Sequence, residues 1–313
     1  MRAGRTGILV GAALALGACI PHALLMGFPE PKVSLSAALP LELPYREAAG
    51  GLALVTGRVE GKADLDFILD TGAPVSVLID GRRSAALGLD TRGATPLGDP
   101  DNPATPVGVI RRDLRIAFGP LELSGLSAVA IAEKSMPCPE RFEAAEFAGV
   151  IGADLFRPFV VEIDRGARKV RVHEAATWRP PAGSAIVPFT FRQGHPFVEA
   201  TITLADGREA GVRLNLDTGM GRALSLVAGS HPAIVMPMEG EVRKSCLVNG
   251  TREERLGPPV SVTLGGQRFP VANPAYSAFP HVVDGGRSGT IGIGLFPGRR
   301  LFIDYPGRRV VIS

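Results

Sequence analysis

Alternation is the dominant pattern along the chain. In Leu65-Asp66-Phe67-Ile68-Leu69-Asp70, and again in Val212-Arg213-Leu214-Asn215-Leu216-Asp217, apolar residues stand one, three and five places before an aspartate. A period of two turns one side-chain face to a core and the other to water, so each stretch predicts a half-buried β-strand with fixed register. Each strand runs straight into the same tripeptide, Asp70-Thr71-Gly72 and Asp217-Thr218-Gly219. Two more pairs follow in the same order. Gly149–Phe156 matches Gly289–Phe296, and Val161-Glu162-Ile163-Asp164 matches Leu301-Phe302-Ile303-Asp304. Each of the latter precedes a turn and a closing strand, Lys169–Val172 or Arg309–Ile312. The offsets are 147 residues for the first pair and 140 for the other two. Motifs recurring in order at nearly one spacing predict a duplicated lobe.

The expected architecture is all-β and bilobal: two similar β-barrel-like lobes with a cleft between them, over residues 46–175 and 186–313. The linker falls at 176–185, where Trp178-Arg179-Pro180-Pro181-Ala182-Gly183 breaks any regular element. Arg82–Leu87 and Asp154–Phe159 are the expected helical turns, with Asp154 as a helix cap. The 39 Gly and 27 Pro are spread along the chain and fit the turns of many short strands. A hydrophobic content of 45% provides for a core.

Charge removes one class of partner. The formal net charge is +3, and only 6% of residues are aromatic. The chain therefore lacks both the positive field that phosphate backbones require and the stacking platforms of single-strand binders, and no nucleic-acid partner is expected. His22, His173, His195, His231 and His281 are scattered without zinc-site spacing, and Gly292-Ile293-Gly294 is too short for a dinucleotide loop. No Gly-x-Ser-x-Gly elbow is present. Neither a metal nor a cofactor is expected.

The N-terminus reads as a targeting segment. Arg2 and Arg5 precede an apolar run, Ile8 to Ala18, too short to span a bilayer as a helix. Leu16-Gly17-Ala18-Cys19 resembles the lipobox of bacterial lipoproteins, which implies residues 1–19 as a signal peptide and Cys19 as a lipidation site, tethering the chain in the cell envelope. An ordinary secretory signal or an uncleaved anchor, with Cys19 incidental, stays open beside it. Residues 20–45, rich in proline, read as a stem or a first edge strand. Cys138 and Cys246 read first as buried small hydrophobes, although outside the cytoplasm they are free to pair.

The doubled tripeptide carries the chemistry. Two carboxyl groups about 3 Å apart cannot both ionise, so one serves as acid while the other activates water as base. Asp70 and Asp217 are the candidate catalytic pair. Thr71 and Thr218 offer hydroxyls to lock the two loops together, and Gly72 and Gly219 permit unusual φ values and a close approach of backbone N–H to carboxylate. Asp164 and Asp304, before Arg165-Gly166 and Tyr305-Pro306-Gly307, read as turn residues.

Leu69-Asp70-Thr71-Gly72-Ala73-Pro74-Val75-Ser76 resembles the active-site loop of retropepsin-like aspartic peptidases, and Ile151-Gly152-Ala153-Asp154-Leu155-Phe156 resembles that family's bracing strand. The likeness covers about residues 50–313. It implies an acid-protease-like fold with retropepsin-sized lobes fused in one chain, a monomer that hydrolyses peptide or protein substrates, and Ala73 among the loop-supporting residues. The second loop departs at Met220, where the family has a small residue, and at Ala223, where it has Ser or Thr; Ser225 takes that role only if the loop is two residues longer. Val107–Arg112 is the candidate flap.

Overall fold

The computed structural model describes residues 28–96, 107–136, 138–139, 146–247, 250–278 and 287–313. The expected signal peptide with Cys19, the first residues of the expected stem, His22 and His281 lie outside the described residues. The first alternating stretch forms the strand Ala63–Leu69. It lies between Leu52–Val59, antiparallel, and Gly149–Ile151, parallel. Gly149–Ile151 runs antiparallel to Ser76–Asp80, which runs parallel to Leu121–Ala132. That strand forms a hairpin with Val107–Phe118, which returns to Leu52–Val59 through Arg58 opposite Ala117 and Val59 opposite Ile116. A six-stranded barrel is thereby closed, and closure removes the open edges of its sheet. Phe67, Leu69, Leu78, Ile116 and Phe118 share the inner face and are buried.

The second lobe repeats this circuit. Glu209–Asp217 lies between His195–Thr203 and Gly289–Gly292, the latter antiparallel to Leu224–Val227, which runs parallel to Ala275–Ser277. Where the first lobe uses one unbroken hairpin, the second is interrupted at Gly257-Pro258-Pro259 and at Pro274. Proline cannot donate to a ladder, so each long strand divides in two. Gly250–Leu256 pairs with Ala275–Ser277, and Val260–Leu264 pairs with Gln267–Val271 and closes onto His195–Thr203.

A six-stranded antiparallel platform joins the lobes. The hairpin Phe159–Asp164 with Lys169–Glu174 and its counterpart Arg300–Asp304 with Arg309–Ile312 meet through their first strands. Glu162 stands opposite Phe302, its own equivalent in the repeat, so a local twofold axis passes between them. The outer positions belong to Leu41–Leu43 and to the first half of Ala185–Arg192. Each lead-in then enters its barrel, as Tyr45–Ala48 on Leu52–Val59 and as Phe189–Arg192 on His195–Thr203. Of the segment read as a stem or a first edge strand, the part from Lys32 belongs to the fold, with Lys32–Leu35 an edge strand on Leu121–Ser124. In the linker, Trp178 packs on Phe302 with Arg309 over its ring. Arg82–Leu87 forms a short 3-10 helix; the second helix is Ala153–Phe156, and Phe159 already belongs to a strand.

Cys138 and Cys246 form a disulfide, so reading them as two separate buried hydrophobes was incomplete. Cys246 is buried, but pairing depends on three-dimensional placement that its spacing in the chain does not reveal. The bond ties the segment after Leu121–Ala132 in the first lobe to the hairpin strand Val242–Leu247 in the second, across 108 residues. Closing so long a loop constrains the unfolded chain strongly. A Cys138→Ser/Cys246→Ser double variant is therefore expected to lose about 2–5 kcal/mol, measured from urea unfolding against the oxidised protein. An unchanged unfolding midpoint would contradict this role.

Candidate active site

Asp70 and Asp217 lie where the two repeated strands leave their barrels, side by side and fully buried. The loops that carry them are clasped by four hydrogen bonds across the local twofold. Thr71 N–H donates to Thr218 Oγ1 at 3.0 Å, and Thr218 N–H donates to Thr71 Oγ1 at 3.0 Å. Each hydroxyl then donates onward, Thr71 to the Leu216 carbonyl and Thr218 to the Leu69 carbonyl, both at 2.7 Å. Threonine suits this position because its hydroxyl both accepts and donates.

The glycines serve by their lack of a side chain. Neither Gly72 nor Gly219 has the left-handed φ that the sequence suggested. A Cβ on Gly72 would stand 2.6 Å from Asp217 Cγ, and one on Gly219 would stand 2.4 Å from Asp70 Cγ. Each lobe's glycine thus makes room for the other lobe's aspartate. Gly72 N–H donates to Asp70 Oδ1 at 2.7 Å.

Electrostatics separates the two acids. Burial raises the Asp70 carboxyl well above its ordinary value, with the neighbouring Asp217 adding to the effect, against backbone bonds from Gly72 and Gly219. Burial also raises Asp217, but the hydrogen bond with Asp70 and the charge of Arg287 favour its ionised form. Asp70 is therefore the better holder of a shared proton. The N–H groups of Gly219 and Met220 also favour the ionised form of Asp217, but Asp70 Oδ2 and the Asp217 oxygens have no donor at full hydrogen-bond geometry, which leaves room for a proton shared between the two acids.

Supports around the loops differ between lobes. In the first, Ser76 donates to Asp154 Oδ2 through both N–H, at 2.8 Å, and Oγ, at 2.7 Å, and its Oγ accepts from Gly152 N–H. Asp154 is thus not the helix cap expected of it: it sits inside the first turn of Ala153–Phe156 and holds the active-site loop to its bracing strand. The second lobe has Leu224 and Gly294 at those places. Ser225 faces Thr290 as Val77 faces Val150, which makes the loop one residue longer rather than two, and Ser225 Oγ turns instead to Glu254. Met220 takes the place of Ala73. Its N–H donates to the Asp217 carbonyl at 3.2 Å, as that of Ala73 does to Asp70 at 3.3 Å, and its own carbonyl accepts from Ile293 N–H.

Tyr305 was missed by sequence reasoning. Its hydroxyl donates to the Thr71 carbonyl at 3.2 Å, its ring stacks on Phe156, and burial keeps it protonated. Its repeat equivalent is Arg165, which donates to the Ile293 carbonyl at 3.2 Å, so each platform strand reaches into the opposite lobe. Unlike residues at like positions hid this shared role. Asp164 and Asp304 accept from the turn N–H groups of Ala167 and Gly307. The candidate flap Val107–Arg112 is the start of the strand Val107–Phe118, paired with Thr95–Pro96; the residues between lie outside the described set. Among the described residues, no group of three or more His, Cys, Asp or Glu could hold a metal ion.

Removing one hydroxyl of the clasp would strand two buried groups of the other loop. Thr71→Ala is expected to cost about 1–3 kcal/mol in urea unfolding, whereas Thr71→Ser, which keeps the hydroxyl, should stay near wild type. Equal losses in both variants would mean that the methyl group, not the hydrogen bonds, matters.

No curated protein matches the chain at a significant level. Residues 55–155 match a family model described as aspartyl protease. That span begins in the first barrel and runs from the strand entering Asp70 through the bracing strand to Leu155. With two Asp-Thr-Gly loops clasped across one twofold axis, the family this chain is similar to, and which the match supports, is that of the aspartic peptidases.

Proposed function

We propose that this chain is an aspartic endopeptidase that hydrolyses peptide bonds with Asp70, Asp217 and an activated water. The observation that carries this reading is the buried pair of carboxyls set against one another across a twofold axis, their loops clasped by Thr71 and Thr218. Asp217, favoured as the ionised partner by Arg287, takes a proton from water as it attacks the peptide carbonyl. Asp70 gives its proton to the carbonyl oxygen, leaving a neutral tetrahedral gem-diol. On collapse one gem-diol hydroxyl returns its proton to Asp70 as the carbonyl re-forms, the C–N bond breaks, and the proton gained by Asp217 goes to the departing amine. The retropepsin-like subtype is part of the proposal, supported by the size of the lobes and the doubled loops.

The proposed setting is outside the cytoplasm, with Cys19 lipidated and the catalytic body held at a membrane surface. The Leu-Gly-Ala-Cys ending and the interlobe disulfide support it, since such bonds persist in oxidising compartments. Among the described residues no helix is long and apolar enough to cross a membrane. A second reading is a degenerate member that binds peptides or an envelope partner without cutting. It is favoured by the second loop, which lacks the Ser76–Asp154 brace.

Asp70→Asn and Asp217→Asn are each expected to lower turnover by about 10³-fold or more on a peptide-library digest. Double-digit residual activity in either variant would contradict the mechanism, and no cleavage by folded wild type would favour the second reading. Stability should move the other way. The folded chain holds the shared proton more tightly than the unfolded chain, so the pair's contribution is present at low pH and is lost as pH rises through the raised value. Asp70→Asn should therefore unfold at an equal or higher urea concentration than wild type at neutral pH. A clear loss there would show that the charge is not destabilising.

A further inference from the structure

One row of side chains sets the lobes apart. In the first lobe Ile68, Val150 and Val77 lie side by side across three strands, all buried. The same register in the second lobe holds Asn215, Thr290 and Ser225, also buried. At the start of the next strand, Leu52 in the first lobe is matched by His195 in the second. The flanking positions keep their apolar character: Leu214, Leu216, Ile291 and Leu226 are as buried as Phe67, Leu69, Ile151 and Leu78. The exchange from apolar to polar is therefore local to one address. Asn215 stands two residues before Asp217 and so on the same face of its strand, beside the dyad.

Charged groups gather on this row. Arg287 donates to Thr290 Oγ1 at 2.5 Å. Glu254, on the hairpin strand Gly250–Leu256, accepts from Ser225 Oγ at 3.2 Å and from Ser245 Oγ at 2.5 Å, and Arg222 Nη1 stands 3.2 Å from it. Arg252 shares Glu254's face of that strand, two residues away. Arg287 acts electrostatically on Asp217, His195 and Arg252 together, which places its charge among them. Burial, with Arg287 beside it, lowers His195 to about 4, so its ring is neutral in mildly acidic solution. Three guanidinium groups thus meet Glu254 and the single charge of the dyad. Asn215 Oδ1 and His195 Nε2 are buried without a hydrogen-bond partner, although the two residues are only 3% and 4% exposed. Most buried polar atoms are paired with protein or water, so two open ones on one row, beside charged groups, point to a polar partner there.

We propose that the second lobe's side of the cleft is a subsite for a carboxylate of the substrate, on one flank of the scissile bond, while the apolar row of the first lobe takes an aliphatic residue on the other. The carboxylate is either an internal Glu or Asp side chain or the C-terminus of a peptide ending there. Arg287 and Arg222 bind it, and Asn215, Thr290 and His195 orient it. This inference rests on the peptidase reading for its substrate but is tested without turnover.

The test is binding of uncleavable statine-type peptides that are identical except for the flanking residue: Glu, Gln or Leu. A shortened set ends at that position as free acid or as amide. The Glu peptide, or the free acid over its amide, is expected to bind about tenfold tighter or more than its uncharged partners. Internal Glu preference assigns a side chain; preference confined to the shortened set assigns a C-terminus. Combined Asn215→Ile, Thr290→Val, Ser225→Val and His195→Leu changes rewrite this row with the first lobe's residues and should make Leu the tighter ligand. Arg287→Gln, which leaves the row intact, should collapse the Glu-to-Leu binding ratio. Wild type that binds Glu no better than Gln or Leu, with no acid-over-amide difference, would overturn the inference. Glu preference without cleavage would sink the catalytic proposal alone, and cleavage without any carboxylate preference would sink this one alone.

Discussion

Two carboxyl groups pressed together out of water can carry one negative charge between them, and the fold is organised to keep Asp70 and Asp217 in that position. Neither aspartate would stay buried by choice, because desolvation opposes its charge. What holds them is a set of backbone-directed bonds that leaves the loops little freedom. The reciprocal Thr71–Thr218 clasp ties loop to loop, Tyr305 and Arg165 reach across from the platform, and each glycine leaves space for the opposite acid. The platform supplies the same symmetry at larger scale, with Glu162 facing Phe302.

Away from the axis the repeats diverge, and the divergence has a direction. The first lobe braces its loop with Ser76 and Asp154 and packs an apolar row behind it. The second leaves its loop to backbone bonds around Met220 and fills the matching row with polar groups under a cluster of arginines. The shared geometry at the axis constrains the residues there. Residues a strand away are free of that constraint and differ between the lobes.

The duplication, the all-β class and the Asp-Thr-Gly loops were legible because alternation and a repeated tripeptide are local signals. The parts that were not legible depend on pairing. Leu41–Leu43 is too short and too close to proline to show a period, yet it completes the platform. Ser225 sits where the register puts it, and no count along the loop separates a one-residue insertion from two. Cys138 and Cys246 meet only once the lobes are assembled. Asn215 and Thr290 look like lapses in a hydrophobic pattern until they are set beside Ile68 and Val150 in the same row.

The central claim is that Asp70 and Asp217 titrate as one coupled pair. It is tested most directly by carbon-detected NMR of aspartate carboxyls across an acid titration of wild type, Asp70→Asn and Asp217→Asn. The account predicts one proton released well above the ordinary carboxylate range of about 4 in wild type, with the paired two-step titration lost when either partner is replaced. Two independent titrations near the ordinary value, each unchanged by replacing the other residue, would contradict it.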